Sequence, residues 1–363
     1  MASDLYIGLM SGTSLDGIDA ALANFDSPQV VVASRFAPFE PSLRADLAAL
    51  LQPGADEIHR GAVAANRLSM AYAQSVVALL SDAGLSPKRI AAIGCHGQTV
   101  RHDPAAGYTV QIGNGALLAE LARIPVVTDF RSRDIAAGGE GAPLVPAFHA
   151  RYFGTIGTAR AIVNIGGIAN ITYLPATGEV LGFDCGPGNT LMDQWIGEHR
   201  GERFDAEGAW ASGGQVIPSL LVQLKSAPYF TRTPPKSTGR ELFNLPWLRL
   251  AIGSELAAVD VQSTLCQFTV ETIADAIERD CPHTTEVYVC GGGAANGELM
   301  RRLRARLRPI SVATTAALGI DPDWVEAIAF AWLARETLSG RPGNLPAVTG
   351  ASGHRILGCI YPA

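Results

Sequence analysis

Short apolar runs separated by polar turns open the chain. Residues 5–10, 18–23 and 30–36 predict three β-strands, and the short links between them fit an antiparallel meander. Apolar positions then recur at helical spacing over 41–52 and 57–84, where Ala65, Leu68, Tyr72, Val76 and Leu79 form one stripe. Strands follow at 90–95 and 108–112, and a helix opens at Asn114. Residues 124–129 read as a strand with a polar exit, and 138–143 as a breaker-rich loop. The pattern then starts again. Residues 161–165, 168–174 and 180–183 predict a second trio of strands, followed by a helix over 189–198. The Pro-rich stretch 226–247 predicts a long surface loop. A helix at 261–280 carries Val261, Leu265, Phe268 and Ile273 near one face; one at 296–308 turns Leu299, Met300, Leu303 and Leu307 inward. A strand at 286–290 lies between them, and Asp321-Pro322-Asp323 is expected to cap a last helix over 324–338. Each half thus opens on a three-strand meander with a Gly-rich turn after its first strand. That repetition predicts a duplicated α/β unit with a cleft between the copies.

Composition narrows the class. At 363 residues the chain suggests two domains; 48% hydrophobic residues supply packed interiors, and 17% charged residues are too few for a disordered chain. A net charge of −6 argues against a nucleic-acid or anionic-membrane surface. The lysines are Lys88, Lys225 and Lys236, and none follows a glycine, so a phosphate loop ending in Gly-Lys-Ser/Thr is absent. The start lacks the positive charge of a signal peptide, and no stretch approaches the roughly 18 apolar residues of a membrane span. The six cysteines form no Cys-x-x-Cys pair and read as reduced thiols, so a soluble cytoplasmic protein is expected.

Three Gly-rich turns and one carboxylate carry the candidate chemistry. The first turn is Gly12-Thr13-Ser14-Leu15-Asp16-Gly17-Ile18-Asp19. Its amides and hydroxyls can meet phosphate oxygens and its carboxylates can hold a hydrated Mg²⁺, or it is an ordinary solvated hairpin. The second, around Asn164, Gly166 and Gly167, has the same capacity or serves chain reversal alone. The third, Gly291-Gly292-Gly293, sits at a strand–helix junction where a ring or phosphate can approach the backbone. Asp184 ends a strand before Gly186-Pro187-Gly188; it is placed either as a general base or as a turn-stabilising acceptor. His96 and Thr99 follow a predicted buried strand and can grip a polar ligand. Arg131 belongs to a cluster that binds a substrate carboxylate or is a solvated ion-pair group. Glu326, among apolar neighbours, is paired, functional, or on an exposed stripe. His96 and His102 lack a third ligand with convincing spacing, so no transition-metal site is expected.

Taken together, GTSLDGID, HGQTVRHDP, NIGGIANIT, FDCGPGN and CGGGAANGELM, in this order from Leu5 to the 357–360 strand, resemble the anhydro-N-acetylmuramic acid kinases. The resemblance implies two similar actin/Hsp70/hexokinase-type (RNase H-like) α/β domains around an ATP-binding cleft. The boundaries drawn from it are 1–135 plus 345–363 and 136–344. It further implies that 12–19 is the ATP segment with Asp19, and Asp16 beside it, serving Mg²⁺ through water. The Gly166 turn would be the second phosphate loop, Gly291–Gly293 the adenosine loop, and Asp184 the catalytic aspartate. Cys185 departs from the family pattern, where Thr is expected; both side chains are small. The implied reaction opens the anhydro ring of 1,6-anhydro-N-acetylmuramic acid and phosphorylates O6 with ATP, in a cytoplasmic homodimer. His96, Thr99, Arg131 and Glu326 are candidates for the sugar. The alternatives are a kinase of this architecture acting on an ordinary hydroxyl, and a non-catalytic Hsp70-like ATP clamp.

Overall fold

The computed structural model describes residues 4–12, 14–239, 241–252 and 256–363. The opening meander is β1 (Leu5–Met10), β2 (Gly17–Asn24) and β3 (Val31–Pro38), followed by α1 (Pro41–Leu50) and α2 (Glu57–Asp82). Then come β4 (Ile90–Cys95), the hairpin β5 (Gln98–Asp103) and β6 (Tyr108–Ile112), α3 (Gly115–Ala122) and β7 (Val126–Thr128). The second series runs β8 (Arg160–Ile165), β9 (Ile168–Leu174), β10 (Leu181–Pro187), α4 (Thr190–Arg200), α5 (Ala258–Asp280), β11 (Glu286–Cys290), α6 (Gly297–Arg306) and β12 (Ser311–Thr314). The chain closes with α7 (Val325–Leu338) and β13 (Cys359–Tyr361).

Two compact units result, residues 1–148 with 324–363 and residues 149–323. The first sheet has the order β13-β7-β4-β1-β2-β3 and the second β10-β9-β8-β11-β12. In each, an antiparallel meander is extended by two parallel strands: β1 pairs β4 and β4 pairs β7, as β8 pairs β11 and β11 pairs β12. The repeated apolar pattern therefore encodes one topology twice, with β13 added antiparallel at the edge of the first sheet. Each unit has its own core. In the first, Leu68, Tyr72, Val76 and Leu79 of α2 pack over the sheet; in the second, Val261, Leu265, Phe268 and Ile273 of α5 do so.

Three features differ from expectation. The helix α7 packs on β1 and β4 in the first unit, whereas the expected boundaries put it with the second. The reason lies in two glycines that face each other in register, Gly8 on β1 and Gly94 on β4. A Cβ at Gly8 would run into the carbonyl of Ala327, and one at Gly94 into that of Phe330, so the helix backbone rests directly on the sheet. The 226–247 stretch is not a surface loop. Its prolines interrupt regular structure, but Tyr229, Lys236 and Phe243 are buried. An aromatic cluster pins it down: Phe243 stacks on Phe230 at 5.6 Å and meets Tyr229 and Trp247 edge-on at 5.7 and 5.2 Å. Finally, Asp321 accepts a hydrogen bond from Asp323 N (3.0 Å), and no side chain caps α7.

Candidate active site

In the first unit, β1 and β2 are joined by the first Gly-rich turn. Thr13 lies outside the described residues. Leu15 adopts a left-handed backbone (φ 54°), its N–H donates to Gly12 O (3.2 Å), and its side chain is buried. Ser14 Oγ donates to Asp16 Oδ1 (2.8 Å), while Asp16 O receives Phe39 N (3.1 Å). A second clasp comes from Gln98, whose Nε2 donates to Gly12 O at 3.2 Å. At Gly12 a Cβ would meet nothing nearer than Ser14 Oγ, an ordinary contact at 3.5 Å. Gly17 has no such room, because Phe36 and Ala37 of β3 press against it. Ile18 is core, Asp19 is half-buried and Asp16 is exposed.

The same unit gathers three of the four sugar candidates. Arg131 donates from Nε (3.3 Å) and Nη2 (2.9 Å) to His96 Nε2, and from Nη1 to Gly141 O (2.8 Å). The imidazole that accepts these bonds is neutral; burial and then the Arg131 charge push its pKa down to about 3. Burial also lowers Arg131, to about 10, against the pull of Glu326 and Asp134, so it stays cationic at neutrality. Glu326, in the first turn of α7, is raised by burial and lowered by Arg131. The seat of α7 on Gly8 and Gly94 is thus what brings Glu326 to Arg131. His96 also packs on Phe330 of α7, ring centroids 4.7 Å apart. Thr99 stands apart from this group on β5, accepting from Gln111 Nε2 at 3.1 Å. A cavity of about 280 Å³ opens beside His96, walled also by Gln111, Asn114, Asp129, Ser132 and Tyr361.

In the second unit, the two remaining Gly-rich turns lie against each other. Gly166 and Gly167 turn β8 into β9, and their carbonyls receive the N–H groups of Asn189 (2.8 Å), Gly188 (2.9 Å) and Thr190 (3.1 Å) at the start of α4. Asn189 Nδ2 donates to Ile165 O (3.2 Å). The third Gly-rich loop lies against the same turn: a Cβ at Gly291 would strike Asn164 Oδ1, and one at Gly293 the side chain of Ile165. These two glycines, with Gly188 against Gly166 O, are required by protein packing. Gly166 and Gly292 are instead open, with no neighbour nearer than 3.6 and 3.9 Å to a Cβ. That leaves both with room for a ligand at the backbone.

Asp184 stands on β10 immediately before a bulge: it pairs with Asn170, Gly186 pairs with Ala169, and Cys185 is the extra residue. Cys185 is buried, its Sγ donating to Ala169 O (3.2 Å). The segment expected to be a loop holds Asp184 from three directions. Asp184 N donates to Lys236 O (3.1 Å), Thr238 N donates to Asp184 Oδ2 (3.0 Å), and Tyr229 OH donates to Asp184 O (2.6 Å). Burial raises the carboxyl to about 6; the Thr238 N–H and the Lys236 charge oppose that rise and Glu241 adds to it. A fixed carboxylate titrating near neutrality is suited to accept a proton from water or a hydroxyl. Sequence reasoning missed Tyr229, Lys236 and Thr238, and placed Gln98 in the polar cluster after β4 without its bond to the first turn. The signals available were one of only three lysines in a Pro-rich stretch, and a Gln next to His96-Gly97.

Comparison with known proteins agrees with the motifs. The family model described as anhydro-N-acetylmuramic acid kinase matches residues 4–363. The chain is 57% identical to the anhydro-N-acetylmuramic acid kinase of Thiobacillus denitrificans, over 99% of this chain and 97% of that one. It is 56% identical to that of Nitrosomonas europaea, over 99% of both. Among solved structures, the activator of the 2-hydroxyisocaproyl-CoA dehydratase from Clostridium difficile aligns with TM-score 0.47 and 12% identity, over 93% of this chain and 97% of that one. With its motifs in family order and full-length relatives above half identity, the chain belongs to the anhydro-N-acetylmuramic acid kinase family.

Proposed function

We propose that this protein opens the 1,6-anhydro bond of 1,6-anhydro-N-acetylmuramic acid with water and phosphorylates O6 from ATP, giving N-acetylmuramic acid 6-phosphate and ADP in peptidoglycan recycling. Family membership supports the substrate; the observation that carries the mechanism is the half-buried Asp184, its carboxyl raised to about 6 and bonded by Thr238 N while Lys236 O and Tyr229 OH fix its backbone. O6 of the anhydro sugar is tied to C1 and has no proton to give, so the base has another task than in ordinary sugar kinases. Asp184 takes a proton from water as that water attacks C1. The C1–O6 bond breaks, and O6, gaining negative charge, attacks the γ-phosphorus. A glycosidase needs a second carboxyl group to protonate the leaving oxygen; here the phosphoryl group captures it.

The phosphates are assigned to Gly12, Thr13, Ser14 and neighbouring residues through Asp19, and to Asn164, Gly166 and Gly167; the nucleoside side is assigned to Gly291–Gly293. Support comes from the open faces of Gly12, Gly166 and Gly292. ATP supplies the phosphoryl group, and Mg²⁺ would spread the charge that develops on it. The exposed Asp16 and half-buried Asp19 are carboxylates of the kind a hydrated Mg²⁺ touches. His96, Arg131 and Glu326, with Thr99, are assigned to the sugar, Arg131 being the cation for its carboxylate. The proposal includes a homodimer, tested by light-scattering mass, and a cytoplasmic location. No helix among the described residues is long and apolar enough to cross a membrane.

The test is incubation with ATP, Mg²⁺ and either the anhydro sugar or reducing N-acetylmuramic acid. ADP is expected to form at least ~10²-fold faster with the anhydro sugar. Equal or faster turnover of the reducing sugar would mean a kinase for an ordinary hydroxyl.

A further inference from the structure

Lys236 is an unusual residue. It is 6% exposed, yet among the described residues its ammonium makes no ion pair. It lies 4.9 Å over the ring of Tyr229, the same residue whose hydroxyl holds the Asp184 carbonyl at 2.6 Å. Its own carbonyl takes the Asp184 N–H. Its side chain borders a cavity of about 40 Å³ with Cys185, Thr272, Asp275 and Arg279, and Asp184 is not part of that wall. A buried cation without an acid partner costs stability, so its position asks for a function.

We propose that Lys236 is a positioning residue for Asp184: its buried ammonium, tied through Tyr229 and through its own backbone to the Asp184 main chain, favours the ionised base electrostatically, while Glu241 on the same segment opposes it. This rests on the proposed role of Asp184. The charged and titratable groups around the pair come from several elements. Arg232, Tyr229 and Glu241 belong to the segment itself, Cys185 to β10, Lys225 to the helix Pro218–Lys225, and Asp275, Arg279 and Asp280 to α5. Of these, Lys225 pairs with Asp275 and Arg279 with Asp280, so their charges largely cancel. Lys236 and Glu241 remain as the opposed pair acting on Asp184. Removing the ammonium makes Asp184 hold its proton more tightly, and removing the Glu241 charge does the reverse.

The experiment is the pH profile of kcat/KM for ATP and the anhydro sugar, with thermal melts, for wild type, Lys236→Met, Lys236→Arg and Glu241→Gln. In wild type the acidic limb is expected to fall near pH 6. Lys236→Met is expected to move it upward, cutting kcat/KM at pH 5.5 about threefold more than at pH 8, because half a pH unit is roughly a threefold change in ionised base. Glu241→Gln is expected to move the limb downward, and Lys236→Arg to leave it near the wild-type position. Lys236→Met is also expected to melt no lower than wild type, since it removes a desolvated charge while keeping the length of the stem. A residue serving packing alone would lower the melting temperature and leave the limb in place. A stationary limb in both Lys236→Met and Glu241→Gln, or a shift of the same sign in both, overturns the proposal. Should Lys236→Met fail to fold, Lys236→Gln takes its place: an upward shift of the limb is expected, and a stationary limb overturns the proposal. Full turnover in Asp184→Asn would overturn the functional reading as well. Loss of turnover in Asp184→Asn with a fixed limb in the other variants overturns only the part played by Lys236.

Discussion

The third strand of each sheet occupies the same place in the same topology, and the two are treated in opposite ways. β3 is an edge with mostly exposed or half-exposed side chains, and Phe36 is 46% exposed. Its Arg35 pairs with Asp82 at the surface. β10 is also an edge, but most of its side chains are buried and the 228–243 segment is bonded to its backbone. Both strands break register once, β3 at Val32 and β10 at Cys185, but only β10 carries a half-buried carboxylate. The duplicated fold therefore supplies the strand, and the insertion between α4 and α5 supplies the environment that desolvates and holds the carboxylate proposed as the base. Covering the strand with Tyr229, Phe230 and Phe243 removes water and raises Asp184; the amide of Thr238 keeps the carboxylate from rising further.

Four substitutions sharpen this contrast, from the largest effect to the smallest. Asp184→Asn is expected to lower kcat at least ~10²-fold. It should also alter the pH dependence of stability. A carboxyl raised above its unfolded value contributes stability that is fully present below about pH 4 and lost as the pH rises through about 6. Asp184→Asn should therefore melt higher than wild type at pH 8, with the advantage shrinking at pH 4; equal melting at both would show that the carboxylate is not desolvated. Next, Gly94→Ala in the first unit, where α7 rests on the sheet, should destabilise by about 3 kcal/mol in urea titrations. It should also displace Glu326 from the neighbourhood of Arg131 and weaken their electrostatic coupling, raising KM for the sugar. Tyr229→Phe removes one bond to Asp184 and leaves a carbonyl short of a partner, a loss of about 1 kcal/mol with a severalfold fall in kcat. Arg35→Ala, the control on β3, should cost below ~0.5 kcal/mol and leave turnover alone. An Arg35 effect on turnover as large as that of Tyr229 would erase the contrast between the two edges.

Much of this was legible in the chain. Apolar runs of strand length between Gly-rich turns located β1, β4, β9 and β11 to the residue, because each is a buried strand bounded by turn residues. The meander repeat announced the shared topology. What stayed hidden depended on contacts between distant positions. Gly8 and Gly94 look like ordinary strand glycines until the helix that needs them is in place, so the expected boundary put α7 in the wrong unit. The prolines at 228, 234 and 235 reported broken backbone hydrogen bonding, which is not the same as exposure. Tyr229 and Phe243 decide burial there, and they lie too irregularly to show a period. In the Gly-rich motifs, sequence could not tell Gly166, open to a ligand, from Gly291 and Gly293, which are shaped by their neighbours.

The most direct test of the central claim follows the oxygen of the attacking water. With ATP and the anhydro sugar in ¹⁸O-labelled water, a base at Asp184 that activates water toward C1 predicts label at C1 of the product and none in the transferred phosphoryl group. Label in the phosphoryl group, or a product without label at C1 before mutarotation exchanges it, would contradict the account.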